Sequence, residues 1–302
     1  MIAVVSHDAG GAEILSSWLR QNQGPYCLVL DGPAIGIFER KLGACPTLRL
    51  LDAIQVCDWV LCGTSWQSTL EKHAIVQAKS AGKKVVAFLD HWVNYPERFQ
   101  LGDAQVLPDE LWVGDPEAQA IAHAVFPEMR VVLTPNPYFL DLQAELLGAQ
   151  RPSKDVQQVR VLYVCEPISE HALRTHGNAR HWGYTEMEAL QYFLDHVAVL
   201  GEDVGAIVIR PHPSESKSKY DWAKQANTLV TEPVSSKTLV AQILEADVVV
   251  GCASMAMVVA LLAGKRVICS IPPGGQACEL PQSEIEDLQV LVSNRREVFL
   301  GA

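Results

Sequence analysis

Short, β-branched apolar runs alternate with helix-length segments along almost the whole of this chain, and they do so in two series. The first series is Ile2–Ser6, Cys27–Leu30, Trp59–Cys62, Lys84–Leu89, Glu110–Val113 and Arg130–Leu133, with surface-helix patterns such as Ala12–Asn22 and Leu70–Ala81 between them. Pro135-Asn136-Pro137 breaks the rhythm, and a leucine-rich helical segment and the polar stretch Gly148–Gln158 come next. The second series is Val159–Cys165, Ala206–Arg210, Thr228–Thr231, Asp247–Gly251 and Arg266–Ser270. Strands apolar on both faces need cover on both faces, so each series predicts a parallel sheet with helices on either side. A chain of 302 residues is long enough for two such cores.

The expected fold class is therefore α/β, with two Rossmann-like α/β/α domains facing a cleft. Residues 1–140 would form the first domain, 141–157 a linker and 158–302 the second, nucleotide-binding domain. The last segment, Ser283–Leu300, reads as a helix packing back across the domains. A formal charge of −11 argues against general nucleic-acid binding, which needs a concentrated basic surface. No secretory signal is visible at the start, because the first apolar run is short and His7, Asp8 and Glu13 come directly after it. The longest apolar run, Met255–Ala263, is too short to span a bilayer. The eight cysteines are scattered and form no CxxC pair, as expected of reduced, buried thiols in a cytoplasmic protein. No cluster has metal-site spacing.

In parallel sheets ligands bind beyond the C-terminal strand ends, and the chemistry-bearing residues concentrate there. The run Ile207-Val-Ile-Arg210-Pro-His212-Pro-Ser214-Glu215 stops a strand at a loop stiffened by two prolines. Arg210, His212 and Ser214 together suit a phosphate, although a rigid strand-to-helix turn accounts for the prolines equally. After the first strand, His7-Asp8-Ala9-Gly10-Gly11 leads into a helix. Gly10 and Gly11 permit close backbone approach to an anion, and His7 and Asp8 form an acid/base pair unless Asp8 caps the helix instead. After the fourth strand, Asp90-His91-Trp92-Val-Asn94-Tyr-Pro-Glu-Arg98-Phe99 mixes aromatic and polar groups in the manner of a sugar-binding wall. There Asp90 and His91 are a second acid/base pair and Arg98 meets a substrate carboxylate. The alternative is that Trp92 and Phe99 anchor the loop while Asp90 and Arg98 pair with each other.

Glu166 ends the first strand of the second series and is expected to reach a base, ribose or sugar hydroxyl. His171, His176 and His181 have no metal-site company. Ser254, between the strand Asp247–Gly251 and a buried helix, suits a phosphate through its hydroxyl and the helix N–H groups. Its strand is expected beside that of His212, so that both grip one phosphate. The Ile271-Pro-Pro-Gly-Gly275-Gln276 loop is expected to close over the nucleotide.

Taken together, Asn136-Pro137, Arg210-Pro-His212-Pro and Ala246–Val267 resemble the two-domain glycosyltransferase fold called GT-B. Within it, His212-Pro213 looks like the His-Pro motif of bacterial sialyltransferases, polysialyltransferases and related enzymes using CMP-activated acidic sugars. The resemblance implies that His212 meets the donor phosphate and that Ser254, or alternatively Ser235-Ser236, supplies a serine motif. It implies an inverting transfer of a sialic-acid-like sugar from CMP to a glycan hydroxyl, with Asp8 or Asp90 as base and no metal or other cofactor. His7-Asp8-Ala9-Gly10 matches the family's acidic motif only loosely. Met255–Ala260 stand where UDP-sugar members carry a ribose-binding glutamate. A UDP-sugar hydrolase or 2-epimerase of the same fold, with His7, Asp8 and His91 handling protons, and a nucleotide-sugar-binding protein without turnover are the alternatives.

Overall fold

The structure, a computed structural model, describes residues 1–149, 158–201, 203–231 and 237–300. The chain divides into two compact units, Met1–Leu142 and Gln143–Ala302. Each is built on one six-stranded sheet whose strands all pair in parallel.

In the first unit the strands are β1 (Ile2–Ser6), β2 (Tyr26–Leu30), β3 (Trp59–Cys62), β4 (Lys84–Leu89), the small antiparallel hairpin β5 (Gln100–Leu101) and β6 (Ala104–Gln105), β7 (Glu110–Val113) and β8 (Val131–Leu133). The helices are α1 (Ala9–Gln21), α2 (Pro33–Leu42), α3 (Leu50–Val56), α4 (Leu70–Ser80), α5 (Tyr95–Arg98), α6 (Pro116–Val125) and α7 (Pro137–Gly148). The sheet runs β2-β1-β3-β4-β7-β8. Val4, Leu15, Leu28, Phe38, Leu61 and Phe88 share its core, with Trp18, Trp59 and Trp112 packed against them. The strand order reverses beside β1, and the crevice outside that point is where such sheets hold ligands. Asn136 and Pro137 start α7 as cap and first-turn proline: the Asn136 side chain accepts the N–H groups of Tyr138 (3.0 Å) and Phe139 (3.3 Å). That helix runs into the segment expected to be linker, and residues 150–157 lie outside the described residues.

The second unit contains β9 (Val159–Val164), β10 (Val204–Arg210), β11 (Val230–Thr231), β12 (Val248–Gly251), β13 (Arg266–Cys269) and β14 (Ile285–Asp287), in the order β11-β10-β9-β12-β13-β14. Its helices are α8 (Ile168–His176), α9 (Glu186–His196), α10 (Ala223–Ala226), α11 (Leu239–Glu245), α12 (Met255–Leu262) and α13 (Leu288–Leu300). A capping box at Thr185 and Glu188 starts α9. The terminal helix begins later than expected, because Ile285–Asp287 first pairs with β13 as an edge strand. Leu288 and Val292 of α13 are buried in the second unit's own core, with Phe193, Ile207 and Val250. The order places β9 between β10 and β12, which corrects the expectation that the strands carrying His212 and Ser254 are neighbours.

All eight cysteines are free thiols, five of them buried. Among the described residues no helix is long and apolar enough to cross a membrane, and no cluster of His, Cys, Asp and Glu is arranged to hold a metal ion.

Phe88 is fully buried at the centre of the first sheet. Phe88→Ala is expected to lower stability by about 3–5 kcal/mol in a denaturant titration, the cost of an aromatic-sized cavity that a packed sheet cannot collapse.

Candidate functional site

At the C-terminal end of β1, Asp8 occupies the N-cap position of α1, yet its side chain makes no capping bond. Its carboxylate turns instead to the His7 ring, with Oδ1 2.7 Å from Nδ1. Each side chain keeps about a quarter of its surface exposed (25% and 25%). The capping alternative is thereby set aside, at a local cost of about 1 kcal/mol. A carboxylate only accepts hydrogen bonds, so the Nδ1 position carries the proton and the lone pair of the neutral imidazole lies on Nε2. That nitrogen lies over Gly32, in the loop after β2: a Cβ there would stand 2.6 Å from Nε2, and the residue has φ +53°. Glycine at 32 is required on both counts.

The backbone of His7 is held from both sides. Its N–H donates to Glu71 Oε1 of α4 (2.7 Å), and its carbonyl accepts the N–H of Ala34 in α2 (3.1 Å). Glu71 is absent from the sequence-level site because a glutamate in the first turn of a helix needs no other explanation. It is only 2% exposed, and burial, the largest influence, pushes its carboxyl up to about 7.

Gly10 and Gly11 do not require a ligand to explain them. A Cβ on Gly10 would fall 2.0 Å from Asp90 Oδ2, and one on Gly11 would fall 3.3 Å from Gly63 Cα. The glycines let the first turn of α1 lie against the ends of β3 and β4, with the Asp90 carboxylate filling the place expected for an external anion. Asp90 is itself committed: Oδ1 accepts from Arg98 (2.6 Å) and from the Thr64 hydroxyl (3.2 Å). Arg98 is 5% exposed; the same Nη1 also approaches Thr64 Oγ1 (2.9 Å) and the Thr64 carbonyl (3.3 Å), and Nε donates to the Val93 carbonyl (3.0 Å). The structure therefore shows the alternative arrangement, in which Asp90 and Arg98 pair with each other.

Trp92 is an anchor rather than an open sugar-stacking wall. It is 6% exposed, and its Nε1 donates to both oxygens of Asp115 (3.0 and 3.1 Å), the cap of α6. His91 Nδ1 accepts the Trp92 N–H (3.0 Å), and burial holds the imidazole below the ordinary histidine value. No hydrogen bond joins His91 to Asp90 among the described residues, so the second acid/base pair does not form. Asn94 is exposed, in the left-handed conformation that begins α5.

In the second unit the end of β12 faces Glu166 at the end of β9. Glu166 Oε1 accepts the N–H groups of Ala253 (2.8 Å) and Cys252 (3.3 Å), while the Ser254 hydroxyl caps α12 by accepting from Ala256 N (3.2 Å). Two N–H groups of the turn before Ser254 are thus engaged by the chain's own carboxylate. Burial, the largest influence, raises the Glu166 carboxyl to about 7.

The His212 loop retains donors. Ser214 donates to His212 Nδ1 from its backbone N–H (3.2 Å), and its hydroxyl lies 2.8 Å from the same nitrogen. Nδ1 is therefore the acceptor, and Nε2–H of this exposed imidazole is a donor. Glu215, whose side chain is 1% exposed, holds the His212 N–H (2.9 Å), Lys219 (2.7 Å) and the Tyr220 hydroxyl (2.8 Å). Lys219 also pairs with Glu186 of α9. A cavity of about 320 Å³ opens beside this loop, on the β10–β11 side, lined by Arg210, His212, Lys217, Lys224, Lys237 and Thr231 among others. Arg210 points toward α11, donating to Gln242 Oε1 and to the Lys237 carbonyl. Ser235 and Ser236 lie outside the described residues. The loop Ile271–Gln276 packs on the turn after α8: Gln276 donates to the Trp182 carbonyl (2.8 Å), and Gly183 makes room for the Gly274 carbonyl.

No protein-family model matches the chain, and no curated protein matches it in sequence. Solved structures do match in fold. An S. aureus protein, MnaA, solved with UDP, superposes with a TM-score of 0.61 at 12% identity, covering 99% of this chain and 87% of that one. The UDP-GlcNAc 2-epimerase of Methanocaldococcus jannaschii gives 0.57 at 11% identity, covering 98% and 91%. These likenesses establish the fold, two parallel-sheet α/β domains of the GT-B kind.

Two consequences are measurable. Arg98→Met leaves the Asp90 carboxylate buried without its partner and is expected to cost about 3–5 kcal/mol in a denaturant titration, with part recovered by adding Asp90→Asn. Glu71 and Glu166 titrate higher in the folded chain than their ordinary 4.5. The folded state then binds more protons than the unfolded one, so the stability these groups contribute is present below pH 4.5 and is lost as pH rises through 7. Each is expected to contribute a slope of up to about 1.4 kcal/mol per pH unit in that window, and Glu71→Gln or Glu166→Gln should flatten stability against pH by its own share.

Proposed function

We propose that the chain is a nucleotide-sugar-dependent glycosyltransferase in which His7, oriented by Asp8, is the general base. The observation that carries this is the Asp8 carboxylate, which leaves a helix N-terminus uncapped to hold His7 Nδ1 at 2.7 Å. In the reaction Nε2 removes the proton of an acceptor hydroxyl, and Asp8 stabilises the imidazolium that results. The acceptor oxygen attacks the anomeric carbon as the bond to the donor phosphate breaks, and the configuration inverts. Within the second unit, His212 Nε2–H and the cations lining the cavity beside it are donors suited to the phosphate of a nucleotide. The base assignment moves from Asp8 or Asp90 to His7, because Asp90 is bound by Arg98.

The His212-Pro213 resemblance favours a CMP-activated acidic sugar as donor. A second reading, a UDP-sugar hydrolase or 2-epimerase, is favoured by the fold likeness to the M. jannaschii enzyme and to the S. aureus protein solved with UDP. In it the same Nε2 takes its proton from water or from the sugar.

Thermal-shift measurements with CMP, CDP, UDP and GDP, followed by nucleotide release from CMP-N-acetylneuraminate and UDP-GlcNAc with and without glycan acceptors, separate the readings. Acceptor-dependent release of CMP supports transfer from a CMP donor, whereas acceptor-independent release of UDP, or exchange of solvent hydrogen at sugar C2, supports the second reading. His7→Gln is expected to lower kcat by about 10²–10⁴-fold on either donor while leaving the melting temperature within a few degrees. A folded His7→Gln protein with full turnover would refute the assigned base.

A further inference from the structure

Glu71 is a carboxyl in an unusual position. It stands in the first turn of α4 with 2% of its surface exposed. Carboxylates are almost never buried this deeply unless paired. Among the described residues no cation approaches it within ion-pair distance, and its Oε2 is buried without a hydrogen-bond partner. Lys72, the adjacent residue, is itself buried (4%), and burial lowers its ammonium from the ordinary lysine value. The groups that face Glu71 electrostatically are the Lys72 ammonium on its own helix, Asp8 and His7 from the β1–α1 loop and Cys62 from the end of β3. Arg98 acts on the same neighbourhood through Lys72.

The one bond Glu71 makes to another element goes to the backbone of His7. The imidazole's place is fixed by three contacts: the ring to Asp8, the carbonyl to Ala34 N–H and the N–H to Glu71. Asp8 orients the ring but belongs to the same loop. Glu71 ties that loop to a helix 64 residues further along the chain. A carboxylate accepts an N–H bond about twice as strongly as a neutral carboxyl does.

We propose that Glu71 is the positioning residue of the His7–Asp8 dyad, its carboxyl holding the His7 backbone N–H from α4 and its ionisation tightening that hold. This rests on the reading of His7 as general base. Glu71 touches no substrate. Its part is to keep Nε2 where a proton can be taken, and a displacement of about 1 Å at such a base costs on the order of 10²-fold in rate.

The test uses the full chain and two independent readouts. Turnover is followed by nucleotide release from whichever of CMP-N-acetylneuraminate and UDP-GlcNAc the chain consumes. Glu71→Ala is expected to lower kcat about 10–100-fold with KM changed less than about twofold. Glu71→Gln, which keeps an acceptor of the same size, is expected to lose only severalfold and to remove an inflection near pH 7, where the carboxyl ionises in the wild type. The second readout is the backbone amide resonance of residue 7. It should move with a midpoint near 7 in the wild type and in His7→Gln, which has no imidazole, and should not do so in His7→Gln/Glu71→Gln. An amide that ignores Glu71, or an unchanged kcat in Glu71→Ala, would overturn the proposal. Full turnover in His7→Gln would instead remove the dyad reading beneath it, whatever the amide shows.

Discussion

Each half of this chain depends on one strand, β1 or β9, buried between two parallel neighbours where the strand order reverses. The crossovers leave such a strand in opposite directions, so the loops at its C-terminal end part and leave backbone and side chains accessible. In both units a carboxylate lies two residues past that strand, Asp8 after β1 and Glu166 after β9, and each meets the constraint differently. His7 and Asp8 turn toward each other and leave α1 uncapped, whereas Glu166 accepts the N–H groups of Cys252 and Ala253 in the turn before α12, which Ser254 caps. The same local geometry therefore holds a histidine–carboxylate pair in the first unit and a carboxylate bound by backbone N–H groups in the second.

The buried Asp90–Arg98 pair is the other fixed point of the first unit. It binds the loop after β4 to Thr64 after β3, and the Asp90 carboxylate presses on Gly10 of α1. Three strand ends are thus held together by one desolvated ion pair, which accounts for Asp90 and Arg98 among the loop's polar residues. Trp92 completes the arrangement by donating to Asp115, which also caps α6. What remains open on that edge is His7, and the residue holding its backbone, Glu71, comes from outside the loops altogether.

The strands were legible because β-branched apolar runs leave few alternatives: each expected segment coincides, within a residue or two at either end, with a strand of one of the two sheets. Ile285–Asp287 was hidden because a three-residue edge strand that includes Glu286 and Asp287 looks like the start of the helix after it. Strand order was not legible. Nothing local to Arg210 or Ser254 reveals that β9 runs between their strands, and the shared phosphate grip depended on it. The glycine pair does mark a close approach, but the approaching groups belong to the chain itself. Glu71 left no signal, since its burial is created only when α4 packs beside β1.

The proposed base chemistry requires that His7 offer a free Nε2 because Asp8 holds the proton on Nδ1. The most direct measurement is the tautomer of the neutral His7 ring, read from its two ring-nitrogen chemical shifts in the full chain and assigned with His7→Gln. The expected result is a protonated Nδ1 and an unprotonated Nε2 in the wild type, with that preference weakened in Asp8→Asn. A ring carrying its proton on Nε2 in the wild type would contradict the claim.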